Sequence, residues 1–213
     1  MRQAAALIAS IALAAGCSRP AGRSADAGRD AATAPPAASA SAAPDGTTTV
    51  VGKVHASGLA VVALEPKGPR AFPAQPEKPV MDQVGLTFGP ELLLVRTGEP
   101  VEFRNNDDTL HNVNVKDEQT REQSFNVAIP TGGTYEYTFK RDGFYRVGCD
   151  IHPAMAASIF AASTPYTAVA DGEGGFAFAG VPPGAWTVTV YTGGRRLQKD
   201  VDVTGAVTEV AVQ

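Results

Sequence analysis

The chain has 213 residues, a length that suits one or two compact domains once tails are set aside. It carries 22 Asp and Glu against 18 Lys and Arg, a formal net charge of −4, with no basic stripe or run, so no nucleic-acid partner is expected. A mildly acidic balance favours a positively charged partner instead. In chain order, Arg2 supplies a short positive start and Ala4 to Ala15 an apolar run. That run is too short to span a bilayer and has the length of an export-signal core.

The run ends at Leu13-Ala14-Ala15-Gly16-Cys17, which resembles a lipobox, where the Cys is lipid-modified and the peptide before it removed. Residues 1–16 are therefore expected to be a lipoprotein signal peptide, with Cys17 the lipidation site. An ordinary secretory signal that leaves Cys17 as a free thiol and a plain N-terminal anchor are the other readings. Ser18 follows the Cys, which under the lipoprotein pattern implies the outer membrane in a Gram-negative host. The expected location is the periplasmic face, held by that anchor. The only other cysteine is Cys149, and the company of each residue argues against a disulfide. Residues 17–46 are rich in Ala, Ser, Pro and Gly and nearly lack large apolar side chains. Such a segment cannot bury enough surface to offset the entropy of ordering, so a disordered tether is expected.

From Thr47 the texture changes to short runs of alternating character, separated by Gly, Pro, Asn and Asp. The pattern predicts strands at Thr48–His55, Leu59–Leu64, Val80–Leu86, Glu91–Val95, Pro100–Arg104, His111–Val115, Ser124–Ala128 and Gly133–Phe139. Further strands are predicted at Gly143–Cys149, Ala157–Ala161, Thr167–Ala170, Gly175–Ala179, Ala185–Tyr191, Arg195–Val203 and Thr208–Val212. Many short strands and no long helical period imply an all-β sandwich fold. Period-two spacing puts His111 on one face with Val113 and Val115, and Cys149 on one face with Tyr145 and Val147. Both polar groups then sit at a strand end on the apolar side, where a specific partner is the rule. Asp107-Asp108, after Asn105-Asn106, reads as a solvated turn. His55 reads as an ordinary strand or surface residue, and Trp186, Phe176 and Phe178 as core.

The segment Cys149-Asp150-Ile151-His152-Pro153-Ala154-Met155 places a thiolate, an imidazole and a thioether on one short loop. With His111 upstream, the set becomes His, Cys, His, Met. Thiolate and thioether suit Cu(I), imidazole suits Cu(II), and a trigonal His₂Cys plane with a long axial Met serves both. Structural zinc wants four strong ligands, iron–sulfur clusters want more thiolates, and calcium or magnesium wants oxygens. One type 1 copper ion is the expected cofactor. The ligands would be His111, Cys149, His152 and Met155.

Between about Val80 and Ala162 the chain resembles the cupredoxins, the family of plastocyanin, pseudoazurin and amicyanin. The short Cys-x-x-His-x-x-Met spacing with Pro straight after the His is similar to the ligand loop of amicyanin. The resemblance implies a Greek-key β-sandwich in which His111 and His152 bind copper through ring nitrogen. Cys149 would bind through sulfur, with Met155 as the weak axial ligand. It also implies that Asn112 fastens the two ligand-bearing loops and hydrogen-bonds near the Cys sulfur, an outer contact that tunes the metal. The stretch Asp171 to Tyr191, with its Gly-rich turn, Pro-Pro-Gly turn and aromatic strands, resembles a carboxypeptidase regulatory-like, or transthyretin-like, β-sandwich module. Val50-Val51-Gly52-Lys53-Val54 resembles the opening strand of that module, a resemblance that implies an insertion of the copper domain in it. Together the two parts resemble bacterial plastocyanin-like proteins labelled for methylamine utilisation.

The expected organisation is residues 47–79 as N-terminal strands, 80–163 as the copper domain and 164–213 as the second module. The expected function is a blue copper protein that carries single electrons between periplasmic or membrane-associated redox partners. Such partners would be c-type cytochromes or a dehydrogenase, docking near His152. Copper delivery, storage or sensing would use the same ligands. No Ser/His/Asp triad, phosphate loop or zinc-hydrolase helix is visible, and the metal has no open position, so no enzyme activity is expected. A monomer is expected.

Overall fold

The computed structural model describes residues 47–213; the expected signal peptide, Cys17 and the tether lie outside the described residues. Sixteen strands and no helix make up the described chain. The first eight are β1 (Thr48–Val54), β2 (Ala60–Pro66), β3 (Val80–Val84), β4 (Thr87–Gly89), β5 (Leu92–Arg96), β6 (Pro100–Asn105), β7 (His111–Asp117) and β8 (Gln123–Ile129). The others are β9 (Thr134–Thr138), β10 (Gly143–Gly148), β11 (Ala156–Ala162), β12 (Thr167–Val169), β13 (Gly175–Val181), β14 (Gly184–Thr192), β15 (Arg195–Val203) and β16 (Val207–Val212).

The strands form four sheets, and alternation decides which sheets face each other. A four-stranded sheet, β4-β3-β6-β9, packs on a five-stranded sheet, β5-β11-β10-β7-β8. Their inner faces enclose Met81, Val101, Phe103, Val113, Val115, Phe139, Tyr145, Val147 and Ile159. Burying each large apolar side chain of this kind stabilises the fold by roughly 1.5–3 kcal/mol. A second sandwich pairs the three-stranded sheet β13-β1-β16 with the four-stranded sheet β12-β2-β14-β15. Its core holds Val50, Leu64, Phe176, Phe178, Trp186, Val188 and Val190. Strands β1 and β2 precede the copper-loop segment in sequence, yet they pair with β12, β13, β14 and β16, which follow it.

One strand joins the two sandwiches. β2 is apolar on both faces, a pattern that suits a strand covered on each side. Ala60, Val62 and Leu64 face the second core. Val61 and Ala63 face outward and pack against Phe160 and Ala162 of β11, with Phe144, Leu92, Leu94 and Tyr191 around them.

The predicted strand Val80–Leu86 ends two residues early, and β4 was not predicted. Gly85 (φ 60°) and Leu86 (φ 59°) both adopt the left-handed region, which makes a two-residue hairpin turn between β3 and β4. Leu at the second position hides that turn from sequence patterns, because a branched side chain there is uncommon. The Leu86 N–H is held by the Asp107 carboxylate at 2.8 Å, which secures the strained residue.

Candidate metal centre

The β10–β11 hairpin carries the loop that matters. Its ladder ends at Gly148 opposite Ala156, so residues 149–155 form the whole hairpin loop. The Cys149 N–H reaches the Met155 carbonyl at 3.4 Å, and the Met155 N–H donates to the His152 carbonyl at 2.9 Å. These bonds fold the loop back on itself. They bring Cys149 to the rim of the core and leave His152 above it. His111 opens β7, antiparallel to β10 and paired with Ile129 of β8. It shares the inner face with Val113 and Val115, all three fully buried.

His111, Cys149 and His152 therefore converge, each offering one ligand atom, all within 4.8 Å of one another. His111 Nδ1 lies 3.9 Å and His152 Nδ1 3.8 Å from Cys149 Sγ, and the two Nδ1 atoms are 2.9 Å apart. A triangle with those sides has a centre about 2.1 Å from all three atoms, a bond length that suits nitrogen and sulfur ligands of a first-row metal ion. Met155 is buried in the same core cluster as Cys149. Cys149 is a free thiol. The donor set and its spacing fit copper, a soft thiolate and two imidazoles being placed for one ion.

Asp107 sets the tautomer of His111. Its Oδ2 lies 3.0 Å from His111 Nε2, so the N–H sits on Nε2 and donates to the carboxylate. The Nδ1 lone pair then points at the shared centre, the arrangement common for metal-binding imidazoles. The Leu86 N–H, and after it the His111 contact, hold the Asp107 carboxyl down to about 2. The reading of Asp107-Asp108 as a solvated turn is thus corrected for Asp107. The turn exists, with the Asp107 N–H bonded to Asn105 Oδ1 at 3.0 Å, but the carboxylate is half-buried against His111. Asp108 stays exposed.

Asn112 follows His111 and faces the other side of β7. Its Oδ1 accepts from the Asp150 N–H at 2.7 Å, the Ile151 N–H at 3.4 Å and the Cys149 thiol at 3.3 Å. The loop and β7 are therefore tied together through one amide oxygen. Asp150, unlike Asn112, lies outside the predicted site. Hydrogen bonds from Asn114 and Asn126, and more weakly from Asn112, hold its carboxyl below the ordinary range. His55 is exposed and takes no part. Trp186, Phe176 and Phe178 are core of the second sandwich.

A β-sandwich that ends in one thiolate and two imidazoles on a hairpin loop and a neighbouring strand is a mononuclear copper-protein architecture. Residues 77–160 match the family of copper binding proteins, plastocyanin/azurin family. Over these residues the chain resembles a cupredoxin, and copper is the cofactor that the match and the donor set support. Among solved structures, a purple cupredoxin from Nitrosopumilus maritimus is similar at 22% identity and a TM-score of 0.37, over 40% of this chain and 100% of that one. Amicyanin from Paracoccus versutus is similar at 20% identity and a TM-score of 0.37, over 42% of this chain and 85% of its own. A copper-containing nitrite reductase from Thermus scotoductus SA-01 shows 29% identity and a TM-score of 0.38, over 47% of this chain but 26% of that one. No curated protein matches the chain.

Proposed function

We propose that the cupredoxin domain carries single electrons, with His111, Cys149, His152 and Met155 as copper ligands and His152 as the port. The carrying observation is the contrast in exposure. His111 and Cys149 are buried, while the His152 ring is half-buried at the surface. Copper, when bound, supplies a Cu(II)/Cu(I) couple. The imidazole and thiolate donors suit both oxidation states, so little need move when an electron arrives. With Met155 as the fourth ligand the protein would fill the coordination and leave no open position for a substrate, which favours a carrier over an enzyme.

The port sits in apolar surroundings. Ile151 (46% exposed), Pro153 and Ala154 flank His152 on the loop. Leu110 (48% exposed) precedes His111, and Leu86 (51% exposed) hangs from the Asp107 carboxylate that holds His111. Such a patch excludes water during brief, weak encounters. The partner would be a c-type cytochrome or a dehydrogenase whose docking face complements a net charge of −4. A lipid anchor at Cys17 would hold the domain at the periplasmic face, on the outer membrane in a Gram-negative host.

Stopped-flow oxidation of the reduced protein by a c-type cytochrome tests this reading. Ile151→Asp is expected to slow exchange severalfold and leave the visible spectrum unchanged. A reduced protein that releases Cu(I) to a competing chelator faster than it gives up an electron would move the function to copper delivery.

A further inference from the structure

We propose that Asp150 is a positioning residue for the Cys149 sulfur: its carboxylate, gripped by three asparagines, ties the ligand loop to β7 and β8 and orients the Asn112 amide. The redox consequence rests on the copper reading above; the effect on the thiol itself does not.

Cys149 faces the core, so the next side chain faces the outer side of the sheet. There Asp150 meets Asn112 and Asn114, two residues apart on β7, and Asn126, directly opposite Asn114 on β8. Asn114 Nδ2 donates to its two carboxylate oxygens at 2.9 and 3.2 Å. Asn126 Nδ2 donates at 2.8 Å and Asn112 Nδ2 at 3.1 Å. A carboxylate only accepts, so it draws the NH₂ end of every amide around it. Asn114 shows the strength of that demand, since its Oδ1 is left buried without a hydrogen-bond partner.

The same demand decides how Asn112 lies. Its NH₂ is committed to the Asp150 carboxylate and to Asn126 Oδ1, the latter at 2.6 Å. Its oxygen is therefore turned toward the loop, against the Asp150 N–H and the Cys149 sulfur. Asp150 acts on the sulfur through Asn112. It anchors its own backbone, adjacent to the ligand, from both ends of one amide. An apolar side chain at 150 would free Asn112 to rotate and the loop to lift from β7.

The test compares Asp150→Ala, Asp150→Asn and Asn126→Ala in the full chain. In copper-free protein, alkylation by iodoacetamide is followed on the Cys149 peptide by mass spectrometry. Loss of the charge-assisted bonds is expected to raise that rate roughly tenfold in Asp150→Ala, through easier local opening of the loop. Asp150→Asn keeps one acceptor oxygen and is expected to restore part of the protection. Asn126 is exposed on β8 and touches no candidate ligand, so Asn126→Ala is expected to fold and to shift the rate in the same direction by less. In copper-loaded protein the visible band and the reduction potential should both move in Asp150→Ala. A lower melting temperature with unchanged thiol reactivity, band and potential would overturn the proposal. If Asp150→Ala does not fold, unchanged Cys149 reactivity in Asn126→Ala overturns it alone. If wild-type protein shows no visible band, the copper reading fails, and the alkylation rates still decide the role of Asp150.

Discussion

At the scale of single residues, the centre depends on groups that are not ligands. Asp107 fixes which nitrogen of His111 is free, and it also secures the strained Leu86 turn. Removing such an outer partner commonly weakens metal binding by about 10- to 100-fold. Asp107→Asn is accordingly expected to lower copper retention within that range, measured by competition with a chelator of known affinity. Retention equal to wild type would show that His111 needs no such orientation. The convergence of His111, Cys149 and His152 was legible in the sequence, because a Cys, a His and a Met on one seven-residue loop have few other uses. Asp107, Asp150, Asn114 and Asn126 were not legible. Each is a residue that ordinarily marks a solvated turn or strand edge; Asp107 reaches His111 across the turn before β7, and the pairing of β7 with β8 and β10 brings the other three to the candidate ligand loop.

At the scale of elements, period-two alternation located most strands, since most have one face on a core, and a short unbroken apolar run marked β2. The exception was β4, three residues long, behind a turn whose Leu86 carries no turn signal. The second sandwich offers a sharp test of strand packing. Gly52 sits in the central strand of its sheet, and a Cβ there would lie 2.2 Å from Phe176 Cζ and 2.5 Å from the Val210 carbonyl. The backbone oxygen cannot move aside cheaply. Gly52→Ala is expected to destabilise this sandwich by about 1–3 kcal/mol, as overpacking does. Chemical denaturation followed by Trp186 fluorescence should report the loss, while the copper-dependent absorption persists under native conditions. An unchanged denaturation midpoint would mean the sheet can spread without cost.

At the scale of the whole molecule, the copper sandwich interrupts a second sandwich built from both sides of it in sequence. Alternation could not reveal this, because strand partners separated by more than a hundred residues leave no local pattern. The hint lay in Val50–Val54, which resembles the opening strand of the second module, and the unbroken apolar run of β2 in turn needs cover on both faces. Phe160, Ala162, Leu92 and Leu94 of the copper sandwich provide that cover on one side. A fragment limited to residues 80–163 would expose this surface, and exposed apolar patches promote association. Light scattering should show the fragment self-associating at concentrations where the full chain does not. A monodisperse fragment would mean that the contact through Phe160 is dispensable for solubility.

The proposed centre holds one copper ion on His111, Cys149 and His152, through a thiolate bond. Its most direct test is the visible absorption of the full-length chain titrated with copper(II). One equivalent is expected to produce an intense thiolate-to-copper band that bleaches with mild reductant and is absent in Cys149→Ser. Folded protein that stays colourless after copper addition, or Cys149→Ser protein that colours equally, would contradict the account.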